Sequence, residues 1–296
     1  MQQKVFLFML MSLLLITCGP NEKTLVDNEE AQRMQEIALR KRRLEQKEEK
    51  KKKQLKQEEI EFIQDIIPSA VIEALSKHND SNWNDDIKYF SAYFVGLNVV
   101  FRNVPYNVVG KDEFLYGVIG DNRGADVAER KAARREVYLA LGYFNGLIRV
   151  FGAFALRLVR TPELVEEHKK TLKDFLRKIR KCAKAYYLDV YDDLQKKLNQ
   201  LETLSLKDIL LLRTRLEKLD AAKRAFIVDI VRPIQVRFSI TVAMSKADIK
   251  NNKTTADEMV EYWETKLSSK FDGRCNDIMR LAFAIKGILD KIKVGS

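Results

Sequence analysis

The chain carries 296 residues, 46% of them hydrophobic and 32% charged, with a formal net charge of +11. That apolar share excludes a disordered polyelectrolyte and is ample for a buried core in one or two domains. The basic surplus favours acidic partners such as nucleic acid, anionic glycans or lipid headgroups, provided the charge is gathered on a face.

The first segment reads as an export signal. Lys4 gives it a positive start, and Val5 to Thr17 is almost wholly apolar. That run falls short of the roughly 20 apolar residues a bilayer span needs, so residues 1–17 are taken as a signal peptide. It closes on Leu15-Ile16-Thr17-Cys18, which resembles a lipobox, where the chain is cut before the cysteine and lipid is attached to it. Cys18 is the expected lipidation residue, and its lipid the expected membrane attachment.

Residues 18–60 form a charged tether. Arg40 to Lys56 holds ten basic residues against three acids, Glu45, Glu48 and Glu49. Glu/Lys pairs at four-residue spacing favour helix locally. The few apolar residues (Met34, Ile37, Leu39, Leu44, Leu55) leave no face to bury, so the tether is a solvated spacer, helical or disordered.

Residues 61–296 read as a globular domain, because apolar residues recur at helical period from Ile60 onward. A loop at Lys77 to Asn82 precedes a helix from about Asn84 to Phe101, and Asn103–Gly110 and Gly117–Gly124 are turn-rich. One long helical pattern covers Ala125 to Arg160. Its part from Leu139 to Val159 is apolar nearly all round, but Arg149 and Arg157 argue for a central buried helix against a membrane span. Gly142, Gly146 and Gly152 would admit close neighbours. Thr161 is placed to cap the next helix, with Pro162 at its first position, and that helix continues to about Leu198. Ser205 with Asp208 predicts a further start, and the helix it opens should bend at Pro233. Thr255 with Glu258 predicts another, and Asp272-Gly273 is read as the break before the last. No stretch alternates convincingly as strands. The expected fold class is all-α, a bundle of about six to eight helices behind the tether.

A catalytic constellation is not legible. The two histidines, His78 and His168, have no nucleophile spaced beside either. Gly117, Gly120 and Gly124 lack the lysine that a phosphate-cradling loop needs. Asp192 and Asp193 are adjacent, so a helix points them about 100° apart, as surface and capping residues. Cys182 and Cys275 are either a disulfide or two inert core thiols, and no cysteine pair has metal-ligand spacing. No enzyme, cofactor or metal is expected.

The helix after Thr161 is the informative one. With Lys169 at 0° and about 100° per residue, Lys169, Lys170, Lys173, Arg177, Arg180, Lys181 and Lys184 fall between about 0° and 120°. Leu172, Phe175, Leu176, Ile179, Cys182, Ala183 and Tyr186 fall between about 220° and 340°, so one face is core and the other a basic stripe. A second cluster lies upstream at Arg123, Arg130, Lys131, Arg134 and Arg135. Like charges four residues apart repel by a few tenths of a kcal/mol, a cost that phosphate binding would explain and facing acids such as Glu129 and Glu136 would remove. Tyr89, Phe90, Tyr93, Phe94, Tyr143 and Phe144 belong to apolar faces and form no stacking platform, so any nucleic-acid contact is to phosphates and independent of base sequence.

The lipobox ending in Thr17-Cys18, the Lys/Glu-rich tether and the all-α body together resemble the surface lipoproteins of Borrelia spirochaetes. In layout the chain is most similar to the paralogous family twelve lipoproteins. That resemblance implies an outer-membrane, surface-exposed, lipid-anchored protein that binds DNA without sequence preference. A related polyanion such as a glycosaminoglycan would meet the same stripe. Other helical Borrelia lipoproteins imply the alternative, a host-protein binder for a complement regulator or matrix component.

Overall fold

The computed structural model describes residues 22–82, 95–108, 111–114, 126–238 and 255–292. Cys18, Arg123, the Gly117–Gly124 turn and the Tyr89–Phe94 aromatics lie outside the described residues. The chain divides into two compact units, Met1–Gln57 and Glu58–Ser296.

Helix α1, Glu22–Asp65, begins in the first unit and ends in the second. Met34, Ile37, Leu39, Leu44 and Leu55 are exposed along it, as a helix without an apolar face requires. Pairs at four-residue spacing, Arg40 with Glu36 at 3.1 Å and Lys53 with Glu49 at 2.9 Å, supply local support. Of the two forms left open for the tether, its described part takes the helical one.

In the second unit the end of α1 buries Ile60 and Ile63. Arg213 clasps both carboxylate oxygens of the buried Glu59 at 2.9 Å and lies 3.8 Å over the Phe62 ring. Next come α2, Ser69–Asn79, and α3, Val95–Asn103. A hairpin of β1, Pro105–Val108, and β2, Lys111–Phe114, follows, antiparallel with Pro105 opposite Phe114. The hairpin lies in and just after the segment read as turns, and it leaves the fold all-α in class.

The long helix expected over Ala125–Arg160 is two, and this is a correction. Helices α4, Asp126–Ala140, and α5, Asn145–Leu158, meet at 109° across a tight turn. Gly142 and Tyr143 take positive φ there, 63° and 51°, a conformation cheap for glycine and costly for tyrosine. Tyr143 is held in it by burial of its ring and by its hydroxyl, which donates to Arg135 O at 3.2 Å and lies 3.1 Å from His78 Nδ1. Among the described residues no single helix is long and apolar enough to cross a membrane.

Helix α6, Pro162–Ala183, is capped as anticipated, with Thr161 Oγ1 accepting from Leu164 N. It continues as a π-helical stretch, Lys184–Asp192, into α7, Asp193–Lys197. Asp192 and Asp193 pair with Lys196 and Lys197, one turn on. Ser205 accepts from Asp208 N at 3.1 Å to start α8, Leu206–Phe226. The irregularity expected at Pro233 is a π-helical segment, Ile227–Val231, leading into α9, Arg232–Arg237. A proline without an N–H leaves the carbonyl four residues back unpaired, and a π turn is one way to absorb that. Thr255 and Glu258 form both halves of a capping box at α10, Ala256–Tyr262. After a π-helical stretch, Trp263–Leu267, α11 runs from Ser268 to Leu289 without the break read at Asp272-Gly273. Tertiary anchors carry the helix through: Phe271 and Cys275 are buried, Asp272 pairs with Lys178, and Arg274 with Asp229.

Those anchors also fix two registers. Helices α6 and α11 run parallel, since Phe175 stacks on Phe271 at 4.7 Å, Lys178 meets Asp272, and Lys197 beyond α6 reaches Leu289 O. Helices α8 and α11 run antiparallel, with Asp208 against Lys291 and Arg215 donating to Ala284 O. Phe151 of α5, Phe175 of α6, Trp263 of the π-helical stretch and Phe271 of α11 form an aromatic knot.

Candidate functional site: the faces of α6 and α11

The apolar arc of α6 is core as its periodicity requires: Leu172, Leu176, Ile179, Cys182 and Ala183 are buried, and so is Tyr186 just beyond. Cys182 and Cys275 are both buried free thiols.

The basic arc is distributed in a way that a helical projection does not carry. Lys169 pairs with Glu166 at 2.7 Å and Arg177 with Asp174 at 2.9 Å, both on α6 itself. Arg180 and Lys184 converge on one carboxylate of α4, Glu136, at 2.7 and 3.3 Å. Lys170 and Lys181 are exposed, and Lys173 is half-buried. These pairs differ in weight. The two pairs within α6 are solvent-facing and worth a few tenths of a kcal/mol, so an incoming anion displaces their acids at little cost. Glu136 and Arg180 keep only 13% and 18% of their side-chain surface, so parting them leaves a poorly solvated charge and costs more. The α4 edge of the stripe is therefore an interhelical contact, and its solvent-facing part is Lys170, Arg177 and Lys181, with Lys173 half-buried beside them.

In the upstream cluster, Arg130, Lys131 and Arg134 are half-buried on α4. Arg135 has a structural task. Its Nη2 donates to the carbonyls of Lys77 at 3.0 Å, Asp80 at 2.9 Å and His78. These are acceptors that the end of α2 leaves without partners, so a side chain 55 or more residues away caps the helix. His78, in the last turn of α2, is pushed below its usual pKa, chiefly by burial and then by the Arg135 charge. It stays neutral at neutral pH.

Several large apolar side chains face water. Phe283 of α11 is 82% exposed, and Leu210 and Leu211 of α8 are 39% and 36% exposed. The antiparallel register places Leu211, one turn before Arg215, alongside Gly287, one turn after Phe283. Phe283 thus stands exposed on α11 one turn after the solvent-facing Arg280–Asp277 pair, while Leu210 and Leu211 are exposed on α8. Sequence periodicity marks Phe283 as lying off the core stripe of α11.

A mostly helical body with a long charged helix before it is what the resemblance to Borrelia surface lipoproteins implies. Residues 96–290 match the family model described as "Borrelia Bbcrasp-1 domain containing protein", and the chain belongs to that family. The resemblance to Borrelia surface lipoproteins drawn from the lipobox and tether holds at that level. The family is not known for enzymes, and it suggests an outer-surface location. No curated protein and no solved structure matches the chain.

Proposed function

We propose that this chain is a lipid-anchored surface protein, tethered through Cys18, that captures a host protein of the complement-regulator or matrix class and converts no substrate. The observation that carries this reading is the exposure of large apolar side chains on α8 and α11, Leu210, Leu211 and above all Phe283 at 82%. A buried aromatic is worth about 1.5–3 kcal/mol when removed from water, and exposed apolar ridges rimmed by charge are the common form of protein-docking sites. The burial of Arg180 against Glu136 supports the same choice, since it withdraws the α4 edge of the stripe from a polyanion.

The test is surface plasmon resonance of the purified chain against plasma and matrix proteins over a salt series. Binding that is weakly salt-dependent and falls at least about tenfold in Phe283→Ser supports capture through the exposed Phe283 face of α11. Binding untouched by that substitution counts against it.

The second reading is sequence-independent binding of DNA or a sulfated glycan, in line with the layout of the paralogous family twelve lipoproteins. It is favoured by the exposed Lys170 and Lys181 beside Lys173 and Arg177. If about four phosphates are engaged, log affinity falls with log salt at a slope near −3.6. A flat response excludes it.

A further inference from the structure

His168 is one of three buried polar or charged residues among the described ones, at 6% exposure. It lies on the apolar arc of α6 and borders a small cavity walled by Phe151, Phe154, Leu158 and Trp263. Its Nε2 has no hydrogen-bond partner among the described residues. A buried ring nitrogen left so is costly, and native structures rarely leave one without a reason.

That nitrogen is not remote from donors. It lies 3.8 Å from Glu167 Oε2, too far for a hydrogen bond. A carboxylate oxygen of Asp257, from the first turn of α10, completes a group of three ligand atoms all within 4.8 Å of one another. Among the described residues neither Glu167 nor Asp257 is paired with a lysine or arginine. Among the described residues, two carboxylates thus lie close to an imidazole without a paired lysine or arginine. Ligands on one tetrahedral ion with bonds of about 2.0–2.1 Å sit roughly 3.3–3.4 Å apart. Both carboxylates are exposed, so a small rotation of each closes the remaining gap.

We propose that Glu167, His168 and Asp257 form a binding site for a divalent first-row transition metal of the Zn²⁺ class, joining α6 to the start of α10. The donor set selects the class. Imidazole nitrogen with two carboxylates suits zinc and its neighbours, whereas Mg²⁺ and Ca²⁺ prefer all-oxygen cages. The metal takes the Nε2 lone pair, neutralises both carboxylates and keeps an open position for water. It is a site in its own right, resting on neither docking reading.

The test uses the purified chain stripped with a chelator and titrated with ZnCl₂ by calorimetry, with MgCl₂ and CaCl₂ as controls. Expected is one saturable zinc site with no competition from Mg²⁺ or Ca²⁺, and a raised unfolding midpoint. Glu167→Gln and Asp257→Asn alter exposed side chains, leave the fold intact and should each weaken zinc binding about tenfold or more. Because the chain has two histidines, the His168 ring signal can be followed by NMR in a His78→Gln background, where it should shift with zinc. Zinc binding equal in the wild type and the double carboxylate variant overturns the proposal. So does a His168 ring that titrates as an imidazolium paired with the carboxylates and ignores zinc.

Discussion

Replacing Arg135 with methionine keeps most of the side-chain volume and removes the guanidinium that closes the end of α2. Three carbonyls, of Lys77, His78 and Asp80, lose their shared donor. A hydrogen bond from a charged donor contributes about 1.5–3 kcal/mol. The three share one nitrogen, and the Asp80 contact is exposed, so water recovers part of the loss. The expected destabilisation is about 2–4 kcal/mol, not three times the single-bond value. Urea denaturation followed by circular dichroism reads the total, and amide exchange at residues 77–82 shows whether the loss begins at the α2 terminus. The substitution has a second consequence at His78, whose pKa is held down by burial and by the Arg135 charge. A histidine with a lowered folded pKa costs stability as pH falls below its unfolded value of about 6.5, because the unfolded chain takes the proton first. The wild type should therefore lose stability from about pH 6.5 downward, and Arg135→Met should raise the His78 pKa and shrink that loss. A destabilisation below about 0.5 kcal/mol, or a His78 pKa that does not rise, would refute the assignment of Arg135 as the cap of α2.

Two glycines should respond in opposite directions. Gly142→Ala forces a side chain into φ +63° with its Cβ 3.3 Å from Tyr187 Oη, costing about 1–2 kcal/mol. Gly273→Ala adds a Cβ with nothing within 4 Å in the interior of α11 and should stabilise by about 0.5–1 kcal/mol; thermal melts of both variants settle the signs. Glu136→Gln removes the carboxylate shared by Arg180 and Lys184. Stability should fall by about 1–3 kcal/mol, and any affinity for duplex DNA should rise with a salt slope steeper by one to two. DNA affinity unchanged in a variant that still folds would remove the α4 edge of the stripe from the polyanion reading.

Much of the helical layout was legible because its signals are local. Thr161 with Pro162, Ser205 with Asp208, and Thr255 with Glu258 mark starts that the structure keeps, since a cap bonds backbone groups two or three residues away. The core arc of α6 was equally plain, because helical period alone sorts Leu172, Ile179 and Cys182 from Lys170 and Lys181. Where tertiary packing competes with a local signal, the local signal loses. Asp272-Gly273 has the composition of a turn, yet ion pairs and buried flanking side chains hold it helical. Leu139–Val159 has the composition of one long helix, yet the buried Tyr143 and its hydroxyl partners stabilise a turn with two positive φ angles.

The candidate sites show the same division. Composition and periodicity by themselves determined a helical body, a tether without an apolar face and a basic arc on α6. Which of those charges are open was decided by Glu136, 44 residues from Arg180 in the chain. The placing of Arg135 under α2 and of Asp257 beside His168 depends on interhelical registers. A single sequence encodes backbone bonding and periodicity within a helix, which act over a few residues. The register between helices is set by the packing of all their side chains together, and it exists only once the chain has closed on itself.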